Sequence, residues 1–268
     1  MTTKSTRYSV MFDELNQRSE IAWVPFIMIG YPTIRTSIDF IELLIESGAD
    51  ALELGIPFSD PVADGVLIQE TARVALENGA TVSKCLDALK QLRVKHPNIP
   101  FGLLTYANLV FHPGLDNFYA NCYQAGVDSV LIADVPLIES KPFIVAADKN
   151  LIDAIFIAPP NASHSTLELL SNQNGAYTYV VSRPGVTGDN RAVEYPEAVV
   201  RRLLNNHAPA PILGFGISQP EHVKKAVSLG FKGVISGSAI TRLILKNDSR
   251  LFDQLKDFSS QMKLATGC

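Results

Sequence analysis

The chain has 268 residues, 47% hydrophobic and 19% charged, with a net charge of −4 and a pI near 5.7. That length suffices to bury one large core, and the acidic balance argues against nucleic acid, which wants a basic face. No apolar stretch approaches the roughly 18 residues that a membrane helix needs, and the opening MTTKSTRYSV lacks the apolar segment of a secretory signal. A cytoplasmic protein without membrane contact is therefore expected. Cys85, Cys122 and Cys268 are odd in number and spaced like neither a zinc site nor a disulfide framework, so they read as packing thiols in a reducing compartment. The mean hydropathy of +0.14 suits strands buried on both faces.

In chain order, an amphipathic helix is expected over about 6–19, followed by a strand near 22–29 and a helix over 36–47. A strand at 50–55, helices at 66–77 and 81–95, a strand at 100–106 and a helix at 114–125 come next. Then come strands near 127–133, 152–157, 176–182, 210–214 and 232–236, with helices at 138–149, 163–173, 193–206 and 218–229 between them. Gly237-Ser238-Ala239 opens a further helix, and a last amphipathic helix covers about 248–264. One unit recurs. Glu46-Ser47-Gly48-Ala49-Asp50, Gln124-Ala125-Gly126-Val127-Asp128 and Ser228-Leu229-Gly230-Phe231-Lys232 each end a helix on a glycine and lead at once into a strand. The spacing of the copies follows no single period, which disfavours a solenoid. The expectation is α/β: a single (β/α)8 TIM barrel with extra N- and C-terminal helices, one domain over residues 1–268.

In such a barrel the active site lies at the C-terminal ends of the strands. Glu53 interrupts the apolar run Ala51-Leu52-Glu53-Leu54. A desolvated carboxylate there has a raised pKa and suits general acid–base work, unless it is a structural glutamate paired with a cation. Asp60 and Asp64 follow in Ser59-Asp60-Pro61-Val62-Ala63-Asp64-Gly65, a loop that can carry Asp64 back over the barrel mouth. Ordinary turn chemistry, or capping of the helix at 66–77, is the competing reading for Asp64. Val186-Thr187-Gly188, Gly214-Phe215-Gly216 and Gly237-Ser238-Ala239 follow the last three strands, where barrels commonly bind phosphate. Gly214-Phe215-Gly216 is no dinucleotide fingerprint, because Gln219 stands where the third glycine belongs. His96, His112, His164, His207 and His222 are scattered and read as surface or helix-cap residues, so no metal site is expected. Phe26, Tyr106, Tyr179 and Phe215 fall at strand ends, as core or as the walls of a flat aromatic slot.

At these residues the sequence resembles the tryptophan synthase α-chain family. The resemblance runs through Ala49-Asp50-Ala51-Leu52-Glu53-Leu54-Gly55-Ile56-Pro57-Phe58-Ser59-Asp60-Pro61 and Ala63-Asp64-Gly65. It continues through Leu103-Leu104-Thr105-Tyr106-Ala107-Asn108, Ala133-Asp134-Val135-Pro136, Tyr177-Thr178-Tyr179 and Gly185-Val186-Thr187-Gly188. Gly214-Phe215-Gly216-Ile217 and Ile235-Ser236-Gly237-Ser238-Ala239-Ile240 complete it. Single pieces are weakly specific; their joint order is very specific.

The resemblance implies a lyase that cleaves indole-3-glycerol phosphate by a retro-aldol reaction without a cofactor in this chain. It makes Glu53 the acid–base residue, Asp64 the second carboxylate and Tyr179 a tyrosine beside the substrate. Phe26, Leu104, Tyr106, Leu131, Ile157, Phe215 and Ile235 would line an indole slot, while Thr187, Gly188, Gly216, Gly237 and Ser238 would hold substrate and its phosphate. Loops 56–65 and 183–192, with Pro57, Asp60, Asn108 and Pro136, would face a pyridoxal-phosphate-dependent β chain in an α2β2 tetramer. A non-catalytic barrel that docks and regulates a partner is the alternative. Two departures stand out: Val66-Leu67 after Asp64, where the family usually has proline and a smaller residue, and Pro184, where a small residue is common.

Overall fold

The structure, a computed structural model, describes residues 6–182 and 195–267. Eight strands form it: β1 (Ala22–Met28), β2 (Leu52–Gly55), β3 (Phe101–Thr105), β4 (Ser129–Ile132), β5 (Asp153–Ala158), β6 (Tyr177–Val181), β7 (Ala210–Gly214) and β8 (Gly233–Ser236). They pair in parallel in chain order, and β8 returns to β1 with Val24 opposite Ile235, so the sheet closes into a barrel. Helices α1 (Thr6–Gln17), α2 (Ile34–Glu46), α3 (Val66–Glu77), α4 (Val82–Lys95), α5 (Ala107–Phe111) and α6 (Leu115–Gln124) belong to the first half. Helices α7 (Lys141–Lys149), α8 (His164–Ser171), α9 (Glu197–Asn205), α10 (Pro220–Ser228), α11 (Ser238–Lys246) and α12 (Leu251–Leu264) belong to the second.

All eight expected strands are present. The helices at 66–77 and 81–95 also stand where the periodicity puts them. Two local features differ. The segment expected as one helix over 138–149 splits into a 3-10 turn at Leu137–Glu139 and α7, which opens at Lys141 with Pro142 in its first turn. Proline has no N–H and clashes with the preceding turn, so it is tolerated at a helix start and not inside one. The short α5 was not anticipated, because five residues are too few to display a helical period. The helix expected over 193–206 is described from Glu197.

Period-2 alternation along the strands sorts the core into two clusters. Trp23, Ile27, Leu52, Leu54, Phe101, Leu103, Val180, Leu213 and Val234 point outward and pack under Phe40, Leu44, Leu89 and their neighbours on the helices. Val24, Phe26, Leu131, Ile155, Tyr177, Tyr179, Ile212 and Ile235 point inward and fill the barrel. Side chains buried on both faces account for the chain's high hydropathy.

The inner cluster is closed at the N-terminal end of the barrel by α1, whose Tyr8, Met11 and Leu15 belong to it. The Tyr8 hydroxyl lies 3.0 Å from Ser129 Oγ, and its ring lies 5.7 Å from that of Tyr177. In register, Gly102 sits between Glu53 and Ser129. A methyl group there would come within 2.9 Å of Ser129 Oγ and 3.0 Å of the Tyr8 hydroxyl, so the glycine makes room for the plug. At the same end Lys263 of α12 bridges Asp50 at 2.8 Å and Glu20 at 2.9 Å, and Arg93 and Arg7 both hold Asp128 at 2.8 Å. One end of the barrel is thus cross-braced, and the other is left for chemistry.

Overpacking a close-packed interior costs about 1–3 kcal/mol. Gly102→Ala should therefore lower the unfolding free energy by that amount, read as a lower urea midpoint at unchanged m-value. An unaltered midpoint would show that Tyr8 is not seated in the barrel.

Candidate active site

β2 delivers Glu53 to the barrel interior because its neighbours Leu52 and Leu54 take the outward face. The side chain is 2% exposed, and its Oε1 is buried with no hydrogen-bond partner among the described residues. The competing reading, a structural glutamate paired with a cation, is not what the structure has: no ion pair of Glu53 is found among the described residues. Burial pushes the carboxyl up to about 8; the Asp64 charge adds to the rise, and hydrogen bonding from the Tyr177 hydroxyl opposes it.

Asp64 approaches from the loop after β2. The backbone there turns through Val62 N–H to Asp60 C=O at 2.9 Å and Asp64 N–H to Pro61 C=O at 3.0 Å, so the turn chemistry read from the sequence is present. Capping is not. Gly65, not Asp64, is the N-cap of α3, and the Asp64 carboxylate points inward at 5% exposure. It accepts a 2.8 Å hydrogen bond from the Tyr106 hydroxyl, which itself accepts from Ala63 N–H at 3.3 Å. Burial pushes Asp64 up to about 6, with the Tyr106 bond holding it back. Val66 occupies the first helical position and is solvent-exposed. The departure from a usual proline there leaves Asp64 facing the mouth.

Two carboxyls of different acidity thus share one enclosure. Asp64 ionises first, and its charge then helps to keep Glu53 protonated around neutral pH. Such a pair can offer a proton and stabilise a nearby cation at the same pH.

The expected slot residues converge. Phe26, Leu104, Leu131, Ile157, Tyr179, Phe215 and Ile235 all belong to the inner cluster. Tyr179 and Phe215 meet edge to face with ring centroids 6.3 Å apart. Tyr179 lies flat against Gly214, where any Cβ would fall 2.3 Å from its ring and hydroxyl. Tyr106 stands outside that cluster: it is fully buried, but it stacks on Phe58 at 5.2 Å and serves Asp64.

Phe215 and Gly216 both have left-handed backbones, with φ of 70° and 79°. For a non-glycine aromatic residue that conformation is uncommon and gathers at functional sites. It follows β7 beside the end of β8, where Gly237 leads into α11 and, among the described residues, no side chain caps the first N–H groups. Gly216, Gly237 and Ser238 therefore lie on two adjacent strand ends, and the free N–H groups of α11 suit an anion there. Thr187 and Gly188, with Pro184 and the rest of loop 183–192, lie outside the described residues. Of the expected interface residues, Asp60, Asn108 and Pro136 are exposed and Pro57 is buried.

Tyr177 was missed as a site residue. It is two positions before Tyr179 on β6, so period-2 alternation alone puts both hydroxyls on the inner face. Phe58 carried no signal, since its partner Tyr106 is remote in sequence.

The molecule is a (β/α)8 barrel with a buried pair of carboxyls, Glu53 and Asp64, at its C-terminal mouth. Residues 12–266 match the family described as "Tryptophan synthase alpha chain". The chain is 50% identical over 266 residues to the tryptophan synthase alpha chain of Francisella tularensis, covering 98% of this chain and 99% of that one. It is also 50% identical over 264 residues to that of Klebsiella pneumoniae, covering 97% and 98%. Among solved structures, the tryptophan synthase complex from Pyrococcus furiosus superposes with a TM-score of 0.81 at 31% identity, covering 91% of this chain and 98% of that one. Mycobacterium tuberculosis tryptophan synthase, at 23% identity, shares the fold with a TM-score of 0.89, covering 99% and 100%. The chain belongs to the tryptophan synthase alpha chain family, whose members are enzyme subunits.

The raised pKa of Glu53 sets a pH dependence of stability. A folded-state pKa of about 8 against an ordinary 4.5 means that the folded chain holds a proton that the unfolded chain releases. Stability therefore falls as pH rises through that window, by at most about 1.4 kcal/mol per pH unit for one group. Glu53→Gln, neutral at every pH, should melt higher than the parent at pH 8 and closer to it at pH 5. Equal differences at both pH values would mean that Glu53 is ionised throughout.

Proposed function

We propose that this chain catalyses the retro-aldol cleavage of indole-3-glycerol phosphate to indole and glyceraldehyde 3-phosphate, as the lyase subunit of tryptophan synthase. The observation that carries the reading is the carboxyl pair: both groups are buried, Glu53 is pushed up to about 8, and the more acidic Asp64 is near enough for its charge to add to that rise.

The bond between indole C3 and the glycerol chain breaks only when C3 can accept a proton. Protonated Glu53 donates to C3, and the ring becomes an iminium cation with its charge at the ring nitrogen. Ionised Asp64 stabilises that cation through the indole N–H. The electron pair of the C–C bond then returns to the ring as the neighbouring glycerol hydroxyl gives its proton to the Glu53 carboxylate and becomes the aldehyde carbonyl. Glu53 ends protonated, ready for the next cycle. The aromatic and aliphatic wall from Phe26 to Ile235 accommodates the flat ring, and Tyr179 lies beside it. Gly216, Gly237 and Ser238, with Thr187 and Gly188, are assigned to the phosphate end, which fixes the chain in register. Every proton in this scheme moves between substrate and side chain, so no cofactor is assigned to this subunit.

The Pyrococcus furiosus relative is described as an α2β2 complex with mutual activation. We assign this chain the same assembly, in the cytoplasm, with indole passed to a pyridoxal-phosphate-dependent β chain. The exposed Asp60, Asn108 and Pro136, on the segments that follow β2, β3 and β4, suit such docking.

Indole release from the purified chain tests the reading. Glu53→Gln should lower kcat by about 10²–10⁴-fold, and more than about a tenth of parental kcat would remove Glu53 from its role. Asp64→Asn should inactivate strongly while unfolding normally. A β chain from the same organism, added to saturation, should raise kcat; no change would count against the assembly.

A further inference from the structure

We propose that Tyr106 is a positioning residue for Asp64: its hydroxyl, braced by the Ala63 N–H and the Phe58 ring, holds the carboxylate turned into the barrel mouth. The inference rests on the reading of Asp64 as the second carboxylate and adds what keeps it there.

Asp64 is carried by a loop and not by a strand. Its backbone is fixed by the turn after Asp60 and by Gln69, whose side-chain amide donates to the Asp64 carbonyl at 2.8 Å. Neither bond directs the carboxylate. The bond that does so is the 2.8 Å donation from Tyr106, which sits at the end of β3, 42 residues further along the chain.

The phenol is itself held from three sides. Its oxygen accepts the Ala63 N–H, so loop backbone and loop side chain converge on one hydroxyl. Its ring stacks on Phe58, from the start of the same loop, at an interplanar angle of 29°. The next residue, Ala107, donates its N–H to the Asp134 carboxylate at 2.8 Å, which ties the turn after β3 to the loop after β4. A tyrosine that only lined the slot would lie among the inner cluster. Tyr106 does not, and its one polar atom is spent on the loop. The hydrogen bond favours the ionised form of Asp64, the form that the proposed chemistry uses.

Tyr106→Phe keeps the ring and the stack and removes only the oxygen. The test is a carboxyl-carbon NMR titration of Asp64 in parent and variant, with the pH profile of kcat for indole release measured alongside. Loss of a hydrogen bond to the ionised form should move the Asp64 midpoint up by about one pH unit. The acid limb of kcat should move up with it. At neutral pH kcat should fall about tenfold with KM within about twofold, because the slot wall is intact. An unmoved midpoint and acid limb would overturn the proposal and leave the function untouched. A midpoint that moves in a chain whose parent releases no indole would support the link and defeat the function alone. A fall in thermal stability with both midpoint and limb unmoved would make Tyr106 merely structural and would also overturn it.

Discussion

The site depends on one constraint: a carboxyl group enclosed by an apolar barrel with no cation beside it among the described residues. In water Glu53 would be ionised and useless as an acid near neutral pH. Burial reverses that, because a lone anion in a low-dielectric interior is costly and the group holds its proton instead. The enclosure needs the sheet closed around it and the N-terminal end plugged. The β8–β1 pairing and the plug formed by α1 provide this, with Tyr8 reaching Ser129 one strand beyond Gly102. A barrel unplugged at its N-terminal end would admit water from below and return Glu53 towards its ordinary acidity.

The two ends of the molecule are built differently because they do different work. At the N-terminal end, charge is compensated: Asp128 lies between Arg7 and Arg93, and Asp50 lies against Lys263. Paired buried charges brace the chain without reactive consequence. At the C-terminal end neither Glu53 nor Asp64 meets a cation among the described residues, and each has a neutral phenol as its hydrogen-bond donor, so both pKa values stay raised. The difference between a brace and a reactive pair is the presence or absence of a cation.

Close packing also sets the shape of the slot. Tyr179 lies flat only because Gly214 has no Cβ to lift it, and Phe215 meets it edge to face from a left-handed backbone. These are local costs accepted at the mouth, where the remainder of the barrel over-determines the conformation. The glycine, the strained aromatic and the uncapped start of α11 all stand after β7 and β8.

The barrel itself was legible in the sequence, since strands buried on both faces alternate with helices whose periodicity is local and needs no partner to be read. Glu53 was legible for the same reason: a charge inside an apolar strand violates the pattern around it. The order of motifs carried the family. What the sequence alone left open was orientation. Whether Glu53 met a cation, whether Asp64 capped α3 or turned inward, and whether Tyr106 served the slot or the loop were all undecided. Each depends on residues distant in the chain, as Tyr106 is from Asp64. Hydrogen bonds and desolvation act over a few ångströms of space, and only closure of the barrel brings those groups within reach.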